Sequence, residues 1–206
     1  KARYTFINRG KHEFPEGFDK ALRAAVDAMA ELKVTKDEKA FLVKNCPYLS
    51  PLYLDFLEGY RYDPSEVHIA QEGNDLKVTV EGHWYRTILW EVPLLSIISE
   101  LYYQLMNATA WTDAQVIANT REKELLYKEL GVVFAEFGTR RRHSYHVHDI
   151  VMRTLLEGYG STFMGSSNVH FAMKYKVKPI GTHAHEWFMF HAAEYSYKMA
   201  NALSLE

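Results

Sequence analysis

Val132-Val133-Phe134-Ala135-Glu136-Phe137, followed at once by Gly138-Thr139-Arg140-Arg141-Arg142-His143-Ser144, is the stretch that decides the fold. Its first six residues form a short, mostly apolar run of strand length, and the glycine and polar residues behind them end it. A helical pattern then begins, carried by Val147, Val151 and Leu155. The scheme recurs. Ser161-Thr162-Phe163-Met164 leads into Gly165-Ser166-Ser167-Asn168 and a short helix. Val177-Lys178-Pro179-Ile180 leads into Gly181-Thr182-His183-Ala184-His185-Glu186-Trp187, with a third helix expected to run to the end of the chain. Three strand–loop–helix units in succession predict parallel strands joined by right-handed crossovers, which stack the three polar motifs at one edge of the sheet. In α/β barrels and open α/β sheets that carboxyl edge is where ligands bind. The three motifs should therefore converge on one site.

Upstream the pattern is different. Phe18, Leu22, Val26 and Met29 repeat at near-helical spacing, Thr35 and Glu38 form a capping-box pattern, and Ser50-Pro51 opens another helix that Gly59 can end. From Val67 to Val80 two runs flank Glu72-Gly73-Asn74-Asp75, and Leu76, Val78 and Val80 alternate with polar residues, so a β-hairpin is expected. Glu91 to Met106 reads as a largely apolar helix, and Trp111-Thr112 with Gln115 starts a further helix that ends near Gly131. Tyr4-Thr5-Phe6-Ile7 is strand-like. The expected architecture is α/β, with an α+β N-terminal part over residues 1–130 and the first units of an irregular parallel βα barrel over residues 131–206.

Bulk composition narrows the partners. With 48% hydrophobic residues over 206 positions there is enough apolar material for real cores. A formal net charge of -2 provides no global field for nucleic acid or an anionic membrane, so neither is expected as a partner. A single cysteine, Cys46, cannot form an internal disulfide, and no run approaches the roughly 18 apolar residues of a membrane span, so a cytoplasmic protein is expected. The chain opens without a methionine and closes inside a helical pattern, which suggests a fragment of a longer protein.

The chemistry-bearing residues sit in the three motifs. A basic run such as Arg140-Arg141-Arg142 is usually a solvated face. At a strand's carboxyl end, however, planar guanidinium forks match carboxylates and phosphates, so Arg140 and Arg141 are candidates for holding an anionic substrate. Gly165-Ser166-Ser167-Asn168 reads either as a turn with Asn168 capping a helix or as a phosphate-binding loop that uses Ser166, Ser167 and Asn168. Seven of the ten histidines lie from His143 onward. The pairs His183/His185 and His146/His148 could ligate a metal with Glu136, Asp149 or Glu186, which keeps a histidine-ligated metal-dependent hydrolase on an α/β barrel as the alternative. A third reading is a binding module without catalysis.

With these residues collected, the chain resembles nicotinate phosphoribosyltransferases over essentially its whole length. The resemblance rests on Phe137 to Ser144, Gly165 to Asn168, Pro179 to Phe188, and Ile88-Leu89-Trp90-Glu91-Val92-Pro93-Leu94-Leu95. The serine at Ser166 stands where a threonine is commoner in the family. The resemblance implies a type II phosphoribosyltransferase-like fold, transfer of a phosphoribosyl group from phosphoribosyl pyrophosphate to nicotinate in NAD biosynthesis, assistance by ATP with Mg²⁺, and a homodimer. It places the phosphorylated histidine at His185, nicotinate contact at Thr182, and the substrate-site arginine at Arg141, with Arg140 beside it. His183 falls where the family varies and receives no role. The family's N-terminal tyrosine motif would precede Lys1 and its later barrel strands would follow Glu206, so this chain alone is expected to be inactive.

Overall fold

The computed structural model describes residues 1–106, 111–158 and 162–196. Strand β1 (Ala2–Thr5) is followed by helices α1 (Phe18–Ala28), α2 (Lys36–Asn45) and α3 (Pro51–Gly59), and then by strands β2 (Val67–Glu72) and β3 (Asp75–Gly82). The capping pattern at Thr35 is realised in full. Its hydroxyl accepts from Glu38 N, and the Glu38 carboxylate accepts from Thr35 N at 2.8 Å, which satisfies two backbone donors that the helix itself cannot. Ser50 caps α3 ahead of Pro51 in the same manner.

The hairpin pairs β2 with β3 from Val67↔Val80 to Glu72↔Asp75, so its connection is Gly73-Asn74. Strand β1 lies antiparallel on the other side of β3, giving the order β1-β3-β2. Because successive strand side chains point to opposite faces, Leu76, Val78 and Val80 all reach the same side and are buried there. Against that face pack Phe18, Leu22 and Val26 of α1, together with Trp90 and, from helix α5 (Glu91–Leu105), Leu94 and Ile98. A short helix α4 (Trp84–Thr87) links β3 to this layer. A second, smaller apolar cluster of Leu42, Cys46 and Leu54 joins α2 to α3.

Helix α6 (Asp113–Glu129) comes next, capped by Thr112 and Gln115 as the sequence pattern required. Then follow β4 (Phe134–Glu136), α7 (Tyr145–Glu157), β5 (Phe163–Ser166), α8 (Val169–Tyr175) and α9 (His185–Glu194). Strands β4 and β5 are parallel, in register at Phe134↔Phe163 and Glu136↔Ser166 with an irregularity between. The third expected strand is reduced to one parallel bridge, Ser166↔Pro179, flanked by Ser166 N→Lys178 O and Ile180 N→Ser166 O. The bonds of the bridge are made by Lys178 and Ile180, so the N–H that Pro179 lacks would have pointed away from β5. This close approach also requires Gly165. Its φ is 143°, and a Cβ there would lie 2.0 Å from the Lys178 carbonyl oxygen. The helix expected to reach the chain end is seen as α9 up to Glu194, and residues 197–206 lie outside the described residues.

The expected division near Gly131 is crossed by several contacts. Ser99 donates to the Arg142 carbonyl at 2.8 Å, and the Glu100 carboxylate accepts from Tyr145 N at 3.2 Å, so α5 carries the loop that follows β4. The buried side of α7 is formed by His148, Ile150, Met152, Thr154 and Leu155, whereas Val147 and Val151 are half-buried. The interior face is thus displaced from the one the valines suggested. No helix among the described residues is long and apolar enough to cross a membrane.

Candidate active site

The parallel pairing of β4, β5 and Lys178–Ile180 sends the three polar loops off the same edge of the sheet. At that edge the organising residue is Glu136, the last residue of β4, which is 8% exposed. Its carboxylate accepts from the Ser166 hydroxyl at 2.6 Å and from the Gly138 backbone N–H. His148 Nε2 lies 2.9 Å away, within ion-pair distance although not on the line of a well-aligned hydrogen bond. The Glu136 carbonyl accepts from Ser167 N at 2.9 Å. Burial alone would raise the Glu136 carboxyl, but the contacts from His148 and Ser166 outweigh it and hold the group below the ordinary glutamate range. A Cβ at Gly138 would stand 2.7 Å from this carboxylate, so glycine is what lets the first loop come so near.

The three arginines of that loop are not equivalent. Arg140 is paired with Glu91 at 2.7 Å, with both side chains partly exposed. Arg142 reaches Glu100 at 3.4 Å and lies over the Tyr145 ring at 5.5 Å. Arg141 is exposed, and its guanidinium has no partner among the described residues. Its backbone N–H closes the turn on the Gly138 carbonyl at 3.0 Å. The cluster therefore consists of two cations fixed to α5 and its start, with a third between them held on the same short turn and free for a ligand.

In the second loop Ser166 is fully buried. Its hydroxyl donates to Glu136 and accepts from Asn168 N at 3.0 Å, so these bonds face into the fold. Asn168 caps α8 through Phe171 N at 3.1 Å and donates to the Thr139 hydroxyl at 3.0 Å, tying the second loop to the first. The turn-and-cap reading describes this geometry. Ser167 remains half-buried between the two loops. In the third loop Thr182, His183 and His185 are exposed, with His183 tilted against Phe188 at 5.9 Å, and His185 is the first residue of α9. That helix is moored at its start by the Glu186 carboxylate, which accepts from Trp84 Nε1, and by Phe190 against the Trp84 ring at 4.5 Å.

A family model described as the nicotinate phosphoribosyltransferase N-terminal domain matches residues 1–99, and one described as the nicotinate phosphoribosyltransferase family matches residues 132–206. The chain belongs to the nicotinate phosphoribosyltransferase family. A nicotinate phosphoribosyltransferase of Chromohalobacter salexigens is 59% identical over 206 residues, spanning 100% of this chain and 53% of the relative. One from Desulforapulum autotrophicum is 45% identical over 198 residues, 96% of this chain and 51% of the relative. The crystal structure of the nicotinate phosphoribosyltransferase from Porphyromonas gingivalis superposes with a TM-score of 0.90 at 44% identity, covering 98% of this chain and 52% of that one. The chain thus spans about half the length of the curated relatives it matches.

Membership in this family leaves the metal-hydrolase alternative without support. Its ligands do not converge either: among the described residues no three histidine, cysteine or carboxylate side chains are grouped to hold a metal ion. His146 instead faces Asp113 at 3.0 Å, Asp149 binds Lys174 and Tyr175, and Glu186 is taken by Trp84. The sequence reading considered Glu136 and His148 only as metal ligands and overlooked their part at the sheet edge. A signal was present. His148 stands four and seven residues before Met152 and Leu155, which places it on the buried helical face.

Proposed function

We propose that the full-length protein transfers the phosphoribosyl group of phosphoribosyl pyrophosphate to nicotinate, giving nicotinate mononucleotide and pyrophosphate, as a step of NAD biosynthesis. The observation that carries this reading is the unpartnered guanidinium of Arg141 at the carboxyl edge of a parallel sheet, in a chain of this family. Both substrates are anions. In the reaction the bond between the ribose anomeric carbon and pyrophosphate breaks with its electron pair leaving on the phosphate, and the nicotinate ring nitrogen bonds to that carbon. Positive charge develops on the sugar, so no strong protein nucleophile is needed. What the protein must do is orient nicotinate and hold the leaving anion. A guanidinium fork on a carboxylate or phosphate suits Arg141, with Arg140 as a second cation once it exchanges Glu91 for substrate. A surface pair of that kind is worth only about 0–1 kcal/mol. Thr182 and Ser167, on the neighbouring loops, complete the binding edge in this reading.

ATP enters as co-substrate, with His185 accepting its γ-phosphoryl group on a ring nitrogen while ADP departs, and with hydrolysis later releasing phosphate. His185 is suited to this by its exposure and by the mooring of α9 through Glu186. The phosphoryl group would add roughly two negative charges to the third loop and so change how firmly the sheet edge holds anions. Mg²⁺ would neutralise phosphate charge when bound, and among the described residues no three histidine, cysteine or carboxylate side chains are grouped to hold it. We read the parallel strands as the opening units of an irregular βα barrel, with the division into residues 1–130 and 131–206 marking where it begins. We further propose a cytoplasmic homodimer. The deciding experiment is formation of nicotinate mononucleotide by the full-length protein, with and without ATP. Turnover that ATP stimulates supports the reading, and its absence with both substrates present overturns it.

A further inference from the structure

Glu136 stands apart from the other carboxylates of this edge. Glu91 and Glu100 are partly exposed and each pairs with an arginine, whereas Glu136 is buried and is contacted by three groups from three different elements. The Gly138 N–H comes from the arginine loop, the Ser166 hydroxyl from the end of β5, and His148 Nε2 from α7. Ser166 is 0% and His148 4% exposed, so water cannot replace these two contacts without cost, whereas the Gly138 N–H belongs to an exposed residue of the loop. A carboxylate without the two hydrogen bonds and the nearby imidazole would be expensive to bury, so these contacts and the charge require one another. The Gly138 turn they fix is the one closed by Arg141 N→Gly138 O. Asn168 donating to Thr139 adds a second tie between the same two loops.

We propose that Glu136 is a positioning residue for Arg141: by clamping Gly138 on one side and Ser166 on the other, it sets the distance between the arginine loop and the second loop, and so where the unpaired guanidinium meets its anion. The proposal rests on the reading of Arg141 as a substrate contact. It also assigns Ser166 a part in the clamp, which fits the inward direction of both bonds made by its hydroxyl. Replacing Glu136 with glutamine keeps the side-chain volume but removes the charge and turns one acceptor into a donor facing donors. The arginine turn then loses its anchor while the hydrophobic interior is untouched.

The test uses the full-length enzyme in a double-mutant cycle, reading kcat, KM for nicotinate, KM for phosphoribosyl pyrophosphate and the melting temperature of wild type, Glu136→Gln, Arg141→Ala and the double variant. Misplacing a substrate contact by about 1 Å can cost a hundredfold. We therefore expect Glu136→Gln to raise, by about ten- to a hundredfold, the same KM that Arg141→Ala raises. The double variant should be no worse than Arg141→Ala alone, because a guanidinium that is absent cannot be misplaced. Effects that multiply would show Glu136 to be general support and would overturn the proposal, as would a wild-type KM in Glu136→Gln. If Arg141→Ala leaves both KM values unchanged, the substrate reading of Arg141 is what fails, and the proposal falls with it. Should Glu136→Gln not fold, Ser166→Ala decides by the same cycle. It removes one donor and keeps the carboxylate, so a smaller rise in the same KM is expected, again absent on the Arg141→Ala background, and a multiplying effect again overturns the proposal.

Discussion

Around the three-stranded antiparallel sheet the most deeply buried side chains are apolar apart from Thr87, with Phe18, Leu22, Val26 and Trp90 all at 0% exposure. At the carboxyl end of the parallel pair the buried set includes Ser166, His148 and Glu136, while Phe137, Met164 and Val133 on the same strands and their flanks are at least 50% exposed. One region is held by non-directional packing of a continuous core. The other is held by a few directional contacts that would each be costly to leave unmade. The difference separates two kinds of failure. Damage to the first region should lower stability wherever it occurs in the core, whereas damage to the second should change where particular loops sit.

The largest effect on stability is expected from Phe18→Ala, which empties a fully buried site in the antiparallel half and should cost about 3–5 kcal/mol. Denaturant unfolding checks this, and the folded fraction should keep its substrate KM values. Gly165→Ala should come next, at about 1–3 kcal/mol, because it forces a side chain into the φ 143° backbone and against the Lys178 carbonyl. Unlike Phe18→Ala it should also raise a substrate KM, since the third loop is displaced with Lys178–Ile180. Equal KM values in both variants would erase the contrast between the regions. Thr35→Ala should cost about 1 kcal/mol through its lost cap, far from the site and without effect on KM.

Acid should divide the regions in a different way. The folded-state value of Glu136 is depressed, so its contribution is present above the ordinary carboxylate range, near pH 4 to 5, and is lost as pH falls through the folded value. Unfolding free energy measured between pH 7 and pH 3 should therefore fall less steeply in Glu136→Gln than in wild type. Phe18→Ala should shift the whole curve down and leave its slope unchanged. Parallel curves for wild type and Glu136→Gln would mean that the buried carboxylate is not held ionised by its neighbours.

The antiparallel half was readable because its signals are local. Thr35 with Glu38, Thr112 with Gln115, and the alternation of Leu76, Val78 and Val80 around Gly73-Asn74 each lie within a few residues, and each appears in the structure as the pattern required. The strand-like start of the chain was also visible, but not that β1 would pair with β3, since register between distant segments depends on the shared core. In the parallel half the shared edge of the loops and the Asn168 cap of α8 were legible, while the bonds that tie the loops to one another were not. Glu136 meets Ser166 thirty residues later and His148 across a helix, and no short pattern encodes such a meeting. Arg140, Arg141 and Arg142 looked alike in sequence. Only the positions of Glu91 and Glu100 on α5 show which of them is left unpaired.

The smallest stability change and the largest functional one are expected from the same substitution. Arg141 has no partner among the described residues and is exposed, so Arg141→Ala should alter stability by no more than about 0.5 kcal/mol. The most direct measurement compares kcat/KM for nicotinate and for phosphoribosyl pyrophosphate in full-length wild type, Arg141→Ala, Arg141→Lys and Arg140→Ala, alongside their unfolding midpoints. Arg141→Ala should lose on the order of a hundredfold in kcat/KM for one anionic substrate, equivalent to about 2.7 kcal/mol, with lysine restoring little because it lacks the planar fork. Arg140→Ala should lose less, since its charge is shared with Glu91. Wild-type kcat/KM for both substrates in Arg141→Ala would contradict the assignment of this sheet edge as the anion-holding side of the site.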